Sequence, residues 1–241
     1  MGNGGTRWSA LEGFECMQVH RLILIVEGET EEMFVDTLLS PYLYSKGFQG
    51  PIVAIKPKKT GGGLSRYSDV SKQLKSVICE QGAIVSTIFD FYQLPDSFPG
   101  YNNGTNHYEQ VLNIERAMLE DMQKSLAREC RNFIPHIQLH EFETLVFSDV
   151  RGLDAIYDVD NNEEYKAVRD LILSTDNPET INNGAKTAPS KRLLRIVGYN
   201  KIIHGKTALE EIGMERMLSK CPHFREWVER LVQLLLPNVG E

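Results

Sequence analysis

The stretch at residues 21–39, which reads RLILIVEGETEEMFVDTLL, decides the fold. Residues 22–26 form a continuous aliphatic run, and a short turn around Gly28 follows it. After the turn, apolar residues recur with helical spacing at Met33, Phe34, Leu38 and Leu39. A strand that is apolar on both faces is typical of a parallel sheet covered on each side by helices. The stretch therefore predicts a buried strand, a tight turn and a helix in an α/β fold.

The alternation of strands and helices continues along the next hundred residues. Apolar or β-branched runs predict strands at residues 50–55, 83–91 and 133–139, and helical periodicity predicts helices at residues 68–79 and 108–130. This alternation is typical of a mostly parallel sheet flanked by helices. Later segments have the pattern of short amphipathic helices, around residue 157 and at residues 168–173, 191–197, 208–218 and 224–236. We therefore predict an α/β domain at residues 17–150 and a helical C-terminal portion at residues 151–241, packed on or beside it.

Composition excludes several classes of protein. With 41% hydrophobic residues in a chain of 241, general disorder is excluded. The net charge of −7 argues against a basic surface that coats nucleic acid. The longest apolar runs fall far short of the ~20 residues of a membrane helix, so no membrane span is expected. The cysteines are far apart and form no CxxC pair, which predicts reduced thiols in a cytoplasmic protein: Cys16, Cys79, Cys130 and Cys221.

The first 16 residues stand apart from this pattern. Residues 1–16 have neither helical nor strand periodicity, and Met17 offers a second start just before the first strand. A signal peptide would need a basic segment followed by an apolar one, which this stretch lacks. We therefore expect residues 1–16 to be an added leader.

Acidic residues stand where the predicted strands end. Glu27 follows the first strand, Glu31 lies at the start of the helix, and Asp90 ends the strand at residues 83–91. Adjacent parallel strands would place Asp90 beside Glu27, at the sheet edge where α/β proteins bind ligands. Clustered carboxylate oxygens suit Mg²⁺ or Mn²⁺. The alternative is a capping turn, because acids are common at helix starts and Thr30 is a good cap.

The VEGETE turn and the later strand that ends in aspartate resemble the TOPRIM fold of topoisomerases, primases and overcoming-lysogenisation-defect nucleases. In that superfamily the glutamate after the first strand and a later Asp-x-Asp bind the metal, which implies these roles for Glu27 and Asp90. Here the later motif reads Asp90-Phe91-Tyr92, so Tyr92 replaces the second aspartate. Either Glu31, Glu141 or Glu143 supplies the missing oxygen, or the metal site is weakened.

A closer resemblance covers nearly the whole chain from Met17. The chain resembles an uncharacterised bacterial TOPRIM-like family that is often encoded beside an ATPase in defence-type loci. The matching blocks are VEGETEE, FDFYQLPDSFPG, QLHEFETLVFSD, ETINNGAKTAPSKRL, HGKTALEEIG and CPHFREW. This resemblance implies a Rossmann-like TOPRIM fold, a metal-dependent nuclease activity, an ATPase partner and a role in antiphage defence.

A second polar group follows the strand at residues 133–139. On a strand, Glu141 and Glu143 would share a face, whereas on a helix His140 and Glu143 would. Either arrangement offers two metal ligands or an acid/base pair beside a metal. The alternative is a solvated strand end. The resemblance favours Glu143 or Glu141 as an added metal ligand, with Glu143 close to the chemistry.

Two basic segments suggest a polyanionic partner. Residues 186–206 carry six Lys or Arg side chains and no acid, and a glycine-rich loop follows the second strand. Positive charge beside an acidic metal site suits the phosphates of nucleic acid. The alternative is a solvated helix face and a flexible loop. The candidate contacts are Lys58, Lys59, Arg66, Lys186, Lys191 and Arg192, and the last two would hold the substrate backbone or balance charge in the transition state.

Two histidines and the last cysteine are not predicted to have a functional role. His204 and His223 are isolated in the sequence and are expected to be structural or surface residues. Cys221-Pro222-His223 lacks a partner at the spacing of a zinc site.

The residues and the resemblance together lead to one main hypothesis and two alternatives. The main hypothesis is a nuclease that hydrolyses DNA or RNA with Mg²⁺ or Mn²⁺. The first alternative is a non-catalytic nucleic-acid-binding protein, or a sensor and partner of an ATPase, that retains the fold. The second is a nucleotidyl or phosphoryl transferase, because the same acids can bind a triphosphate with its metal. No oligomeric state is assigned.

Overall fold

A parallel sheet lies at the centre of the protein. The computed structural model describes residues 21–57, 64, 66–102, 104–157, 163–181, 184, 186–196 and 199–236. The strands are β1 (Arg21–Val26), β2 (Ile52–Ile55), β3 (Ala83–Asp90), β4 (Phe133–Ile134) and β5 (Ile137–Gln138). The strand order is β2-β1-β3-β4, with β5 also paired to β3, and every pair among these strands is parallel. The predicted α/β fold with a mostly parallel sheet is therefore confirmed.

Helices cover both faces of the sheet. In the first half of the chain they are α1 (Glu29–Phe34), α2 (Ser40–Ser45), α3 (Tyr67–Ile78) and α4 (His107–Leu126), with a π-helical turn at Val35–Leu39 between the first two. In the second half they are α5 (Val150–Asp154), α6 (Glu163–Ser174), α7 (Pro189–Arg195), α8 (Ile203–Ile212), α9 (Met214–Lys220) and α10 (Pro222–Leu235). Two 3₁₀ helices, Phe142–Ser148 and Pro178–Thr180, complete the described helices.

The aliphatic run of β1 serves two cores because alternate side chains of a strand point to opposite faces. Leu22, Leu24 and Val26 pack in one core with α1, α2 and the C-terminal helices. Ile23 and Ile25 pack in the other core, with α3 and α4. Burial of both faces explains why the run is continuously apolar rather than alternating.

The C-terminal helices pack on the sheet. Trp227 of α10 is buried and donates its indole N–H to Oγ of Ser86 on β3 at 2.9 Å. The N-terminus of α10 is held by the buried Glu179, whose two oxygens accept the backbone N–H groups of His223 and Phe224 at 2.9 Å each. This carboxylate satisfies amide groups that a helix start otherwise leaves without partners.

Three local predictions differ from the structure. The predicted strand at residues 133–139 is two short strands, because Pro135 has no N–H to donate to the neighbouring strand. The hydroxyl of Thr87 instead forms hydrogen bonds with the backbone N–H and C=O of His136. The predicted helix at residues 208–218 is divided at Gly213, whose φ of 77° ends α8. Glu141 and Glu143, for which both a strand and a helix were considered, lie at the start of the 3₁₀ helix at Phe142–Ser148.

Two further predictions concern the chain as a whole. The predicted leader at residues 1–16 lies outside the described residues. Within the ranges that are described, no helix has the length and apolar character needed to cross a membrane.

Candidate functional site

The carboxyl ends of β1 and β3 bring Glu27 and Asp90 together. The two strands pair in parallel, with Val26 opposite Ile88, so the residues that follow them meet at one edge of the sheet. The backbone N–H of Asp90 donates to Oε2 of Glu27 at 3.4 Å. The predicted neighbourhood of these two acids is therefore present.

Glu31 joins this edge from the first turn of α1. Its Oε2 accepts the backbone N–H of Gly28 at 2.8 Å, the cap interaction that fixes the turn between β1 and α1. Burial, together with the negative charges of Glu27 and Glu143, raises the pKa of Glu31 to about 7. Glu31 is therefore both part of the helix cap and a member of an acidic cluster. Thr30, the cap residue of the alternative, instead lies inside α1, whose N-cap is Gly28.

Glu143 enters the cluster from the 3₁₀ helix at Phe142–Ser148. Its side chain is 2% exposed, and Oε1 lies 2.8 Å from the ammonium nitrogen of Lys201. Burial raises the pKa of Glu143 although the positive charge of Lys201 opposes the shift. Burial, together with the negative charges of the other three acids, raises the pKa of Asp90 well above its ordinary value, and the charge of Lys201 opposes this shift.

We call Glu27, Glu31, Asp90 and Glu143 the acidic cluster. Two of its oxygens, Oδ1 of Asp90 and Oε2 of Glu143, are buried and have no hydrogen-bond partner among the described residues. Buried carboxylate oxygens without partners are costly unless a cation or a proton compensates them. Carboxylate oxygens are the ligands that hard divalent cations prefer, but among the described residues no three ligand atoms of the acidic cluster lie within 4.8 Å of one another.

Glu141 and His140, also predicted at the site, make other contacts. Both oxygens of Glu141 accept from Ser190 at 2.8 Å, one from the backbone N–H and the other from the hydroxyl. Glu141 therefore anchors the N-terminus of α7. His140 has a positive φ of 65° and places Nε2 2.8 Å from the carbonyl oxygen of Glu179. These contacts hold the segment that precedes Glu143 in place.

The predicted basic contacts are dispersed. Lys58 and Lys59 lie outside the described residues, and Arg66 is exposed at the start of α3. Lys186 and Lys191 are exposed, and Nε of Arg192 donates to the carbonyl oxygen of Thr187 at 2.7 Å. Lys191 and Arg192 directly follow Ser190, so the bonds between Ser190 and Glu141 tie them to the segment that carries Glu143.

The sequence did not assign a role to Lys201 or to a second polar cluster. Lys201 belongs to the basic segment at residues 186–206, but nothing in the sequence paired it with Glu143. Within the described parts of the chain, the one set of three His, Cys, Asp or Glu side chains whose ligand atoms all lie within 4.8 Å of one another is Glu115, His136 and His223. These residues form a candidate metal-binding cluster, which we call the histidine cluster.

The histidine cluster lies between α4, the β4–β5 junction and the start of α10. Nε2 of His223 is 3.1 Å from Oε1 of Glu115, and Nδ1 of His136 is 3.6 Å from the same oxygen. Burial lowers the pKa of His136 well below its ordinary value; burial acts likewise on His223, but the hydrogen bond and charge of Glu115 outweigh it and raise the pKa of His223. His223 is isolated in the sequence, but in the fold it is buried beside His136 and Glu115, which are 87 and 108 residues away.

Comparison with known proteins identifies a family without an assigned activity. Residues 26–232 match the family model described as "Domain of unknown function (DUF4276)". No curated protein and no solved structure matches the chain.

Proposed function

Because the chain belongs to the DUF4276 family, whose description names no activity, we propose from its side chains that it is a nuclease that cleaves DNA or RNA with Mg²⁺ or Mn²⁺. The observation that carries the proposal is the acidic cluster, in which four carboxylates from three segments meet at the carboxyl edge of a parallel sheet. Ligand sites of α/β proteins lie at this edge. The resemblance of the VEGETE turn to TOPRIM nucleases supports the same reading.

The charge balance of the acidic cluster supports a cation ligand. Burial and mutual repulsion raise the pKa values of Glu31, Asp90 and Glu143, so the folded chain holds these groups together at a cost. Lys201 offsets one negative charge. A divalent cation would offset two more and would engage the partnerless oxygens of Asp90 and Glu143. Glu27 and Glu31 would complete the oxygen set.

Each part of the chain then has a distinct task in phosphodiester hydrolysis. When bound, the metal supplies an activated water and neutralises charge on the phosphate oxygens. Glu27, Glu31, Asp90 and Glu143 would hold the metal, and Glu31 also fixes the turn that carries Glu27. Lys191 and Arg192 lie on α7, which Glu141 anchors beside Glu143, so they can hold the substrate backbone by its phosphates.

A non-catalytic role in the same family context is the second candidate. Tyr92 stands where the TOPRIM pattern has its second aspartate, and Lys201 pairs with Glu143 where a metal ligand is expected to be available. Because the ammonium group of Lys201 already occupies the position beside Glu143, a second candidate is a protein that keeps the fold and binds nucleic acid or an ATPase without cleavage. The ATPase partner and the antiphage role rest on the resemblance.

The decisive experiment compares cleavage by wild type with cleavage by isosteric variants. End-labelled tRNA, single-stranded RNA and plasmid DNA are incubated with the full chain and Mg²⁺ or Mn²⁺. The proposal expects metal-dependent products, and a loss of roughly 100-fold or more in rate for Glu27→Gln and for Asp90→Asn. Glu29→Gln is the matched control, because Glu29 is an exposed acid in the same turn.

Thermal stabilisation by the metal separates the remaining outcomes. If no substrate is cleaved and Mn²⁺ stabilises wild type and both variants equally, the acidic cluster is not a metal site and the nuclease proposal fails. If Mn²⁺ stabilises only wild type and the Glu29→Gln control, but nothing is cleaved, the non-catalytic role is favoured.

A further inference from the structure

The histidine cluster offers a ligand set of a different chemical kind from the acidic cluster. It shares no residue with that cluster, and it combines two imidazoles with one carboxylate. Imidazole nitrogen suits Zn²⁺ and its transition-metal neighbours, whereas Mg²⁺ prefers oxygen ligands. Two histidines and a glutamate are a ligand set that Zn²⁺ takes in open sites, where a fourth position remains for water or another ligand.

The distances are close to those of a bound ion. In a tetrahedral zinc site with bonds of ~2.0–2.1 Å, neighbouring ligand atoms lie about 3.3 Å apart. Oε1 of Glu115 is 3.1 Å from Nε2 of His223 and 3.6 Å from Nδ1 of His136. The rings of His136 and His223 are nearly parallel, with centroids 4.8 Å apart and 23° between their planes. Because a ligated ion lies in the plane of its imidazole, binding of one ion by both rings requires one of the two imidazoles to rotate.

Hydrogen bonds to neighbouring residues already hold each of the three ligand residues in place. The backbone of His136 exchanges two hydrogen bonds with Oγ1 of Thr87 on β3, at 2.9 Å each. The backbone N–H of His223 is held by Glu179 at 2.9 Å. Oε1 of Glu115 accepts the backbone N–H of Ile137 at 2.8 Å. A site whose ligands are held by neighbouring bonds binds a metal with less ordering cost than a flexible one.

The imidazole of His136 lacks the partners that the protein would normally provide. Both of its ring nitrogens are buried with no hydrogen-bond partner among the described residues, whereas Nε2 of His223 lies 3.3 Å from Oε2 of Glu115. The His136 side chain is 1% exposed, and Trp227 stacks on it with centroids 4.4 Å apart. Buried polar groups normally have a partner, so an imidazole with none points to a ligand that completes it.

A cavity leads to the histidine cluster. It has a volume of about 200 Å³, and its wall contains all three cluster residues together with Glu226, Trp227 and Arg230. Such a cavity gives an ion a route into the site and leaves room for a water or a small anion as the fourth ligand.

We propose that Glu115, His136 and His223 form a Zn²⁺-class metal site with one position open to the cavity. The site is independent of the acidic cluster and of the nuclease proposal, and its selectivity is opposite: it binds Zn²⁺ or Co²⁺ and ignores Mg²⁺.

The test measures metal bound by the full-length chain. Protein stripped of metal with a chelator is dialysed against Zn²⁺ with excess Mg²⁺, and the bound metal is measured by plasma mass spectrometry. The expected result is one Zn²⁺ per chain. Replacement of Zn²⁺ by Co²⁺ is expected to give the intense visible absorption of a four-coordinate nitrogen and oxygen site. No bound Zn²⁺, or only the weak absorption of octahedral Co²⁺, would overturn the proposal.

Variants locate the bound ion. Glu115→Gln and His223→Gln are expected to weaken Zn²⁺ binding by about 100-fold or more, while Glu115→Gln keeps an acceptor for Ile137. Glu226→Gln is the matched control, because Glu226 lines the same cavity outside the ligand set. Asp90→Asn is the control for the acidic cluster and is expected to retain Zn²⁺. Equal binding by wild type and both ligand variants would place the ion elsewhere and refute the proposed site.

Discussion

Lys201 places its ammonium nitrogen 2.8 Å from Oε1 of Glu143, a carboxylate that is only 2% exposed. Burial opposes the charge of Lys201, but the negative charges of Glu143 and Asp90 outweigh it and raise the pKa of Lys201. The chain thus supplies one positive charge to the acidic cluster. A divalent cation bound there would share Glu143 with Lys201 or displace it, so Lys201 sets how strongly the cluster attracts metal.

We predict that Lys201→Met destabilises the metal-free protein and tightens Mg²⁺ binding. Removal of one partner leaves Glu143 buried without its cation. Because the Lys201 side chain is 46% exposed, the expected loss is roughly 1–3 kcal/mol, below that of a fully buried pair. The stability is measured by urea denaturation in EDTA, and the metal affinity by the rise in Tm with Mg²⁺.

Two variants test whether this effect comes from the ion pair. Lys206→Met is the matched control, because Lys206 lies 3.8 Å from Glu210 in an exposed pair on a helix and is expected to change stability by less than about 0.5 kcal/mol. Adding Glu143→Gln to Lys201→Met should recover part of the lost stability, since no unpaired charge remains. If the double variant loses more free energy of unfolding than the two single variants lose together, the charge argument is contradicted.

We predict that Glu31 makes the metal-free protein less stable as pH rises towards neutrality. Its pKa is raised from 4.5 to about 7 in the folded chain, so between these values the folded chain binds a proton that the unfolded chain has released. Stability is therefore full below pH 4.5 and falls through pH 7, by roughly 3 kcal/mol for this group. Glu31→Gln should remove this part of the slope.

Urea denaturation in EDTA at several pH values between 4.5 and 8 measures the Glu31 contribution. Glutamine keeps an oxygen that can accept the N–H of Gly28, so the cap is retained and only the charge is lost. Glu29→Gln is the control, because it removes an exposed acid from the same turn. If Glu31→Gln and wild type lose stability in parallel over this range, the raised pKa of Glu31 is not the cause.

The fold was largely predictable because its signals are local. The aliphatic run of β1, the turn at Gly28 and the helical spacing after it lie within nineteen residues, and burial of both strand faces follows from their composition. The errors arose where tertiary contacts replace local pattern. The bonds of Thr87 to His136 interrupt the strand at residues 133–139, and they come from another strand.

The candidate sites were predictable only where topology brings strand ends together. Parallel pairing of β1 and β3 was enough to place Glu27 beside Asp90. The pairing of Lys201 with Glu143 crosses 58 residues of helices and loops, and no periodicity in the sequence encodes it. The histidine cluster was missed for the same reason, since its residues come from three elements whose mutual packing only the structure gives.

We predict that Ser190→Ala loosens α7 without removing metal binding from the acidic cluster. The hydroxyl of Ser190 donates to Oε1 of Glu141 at 2.8 Å inside the protein, and a buried hydrogen bond to a charged group contributes roughly 1–3 kcal/mol. Urea denaturation should show this loss, and weaker nucleic-acid binding should accompany it because Lys191 and Arg192 lie on α7. The stabilisation by Mg²⁺ is expected to persist.

Ser174→Ala provides the comparison for Ser190. Ser174 is exposed and its hydroxyl donates only to carbonyl oxygens of its own helix, at 2.8 Å and 3.1 Å, so its replacement is expected to cost less than about 0.5 kcal/mol. Loss of the Mg²⁺ effect in Ser190→Ala would contradict the prediction, because it would show that metal binding depends on the contact between Ser190 and Glu141.

Finally, we predict that residues 151–236 and the sheet unfold as one cooperative unit. Leu231 of α10 is fully buried in the core that also contains Leu22 and Leu24 of β1. Leu231→Ala is expected to lower the free energy of unfolding by about 2–5 kcal/mol. Under native conditions, hydrogen exchange of the β1 amides should accelerate as much as exchange in α10, because both are protected by the same global unfolding. Leu194→Ala, at a site 49% exposed, is the control. Faster exchange confined to α10 would mean that the C-terminal helices form a separate unit.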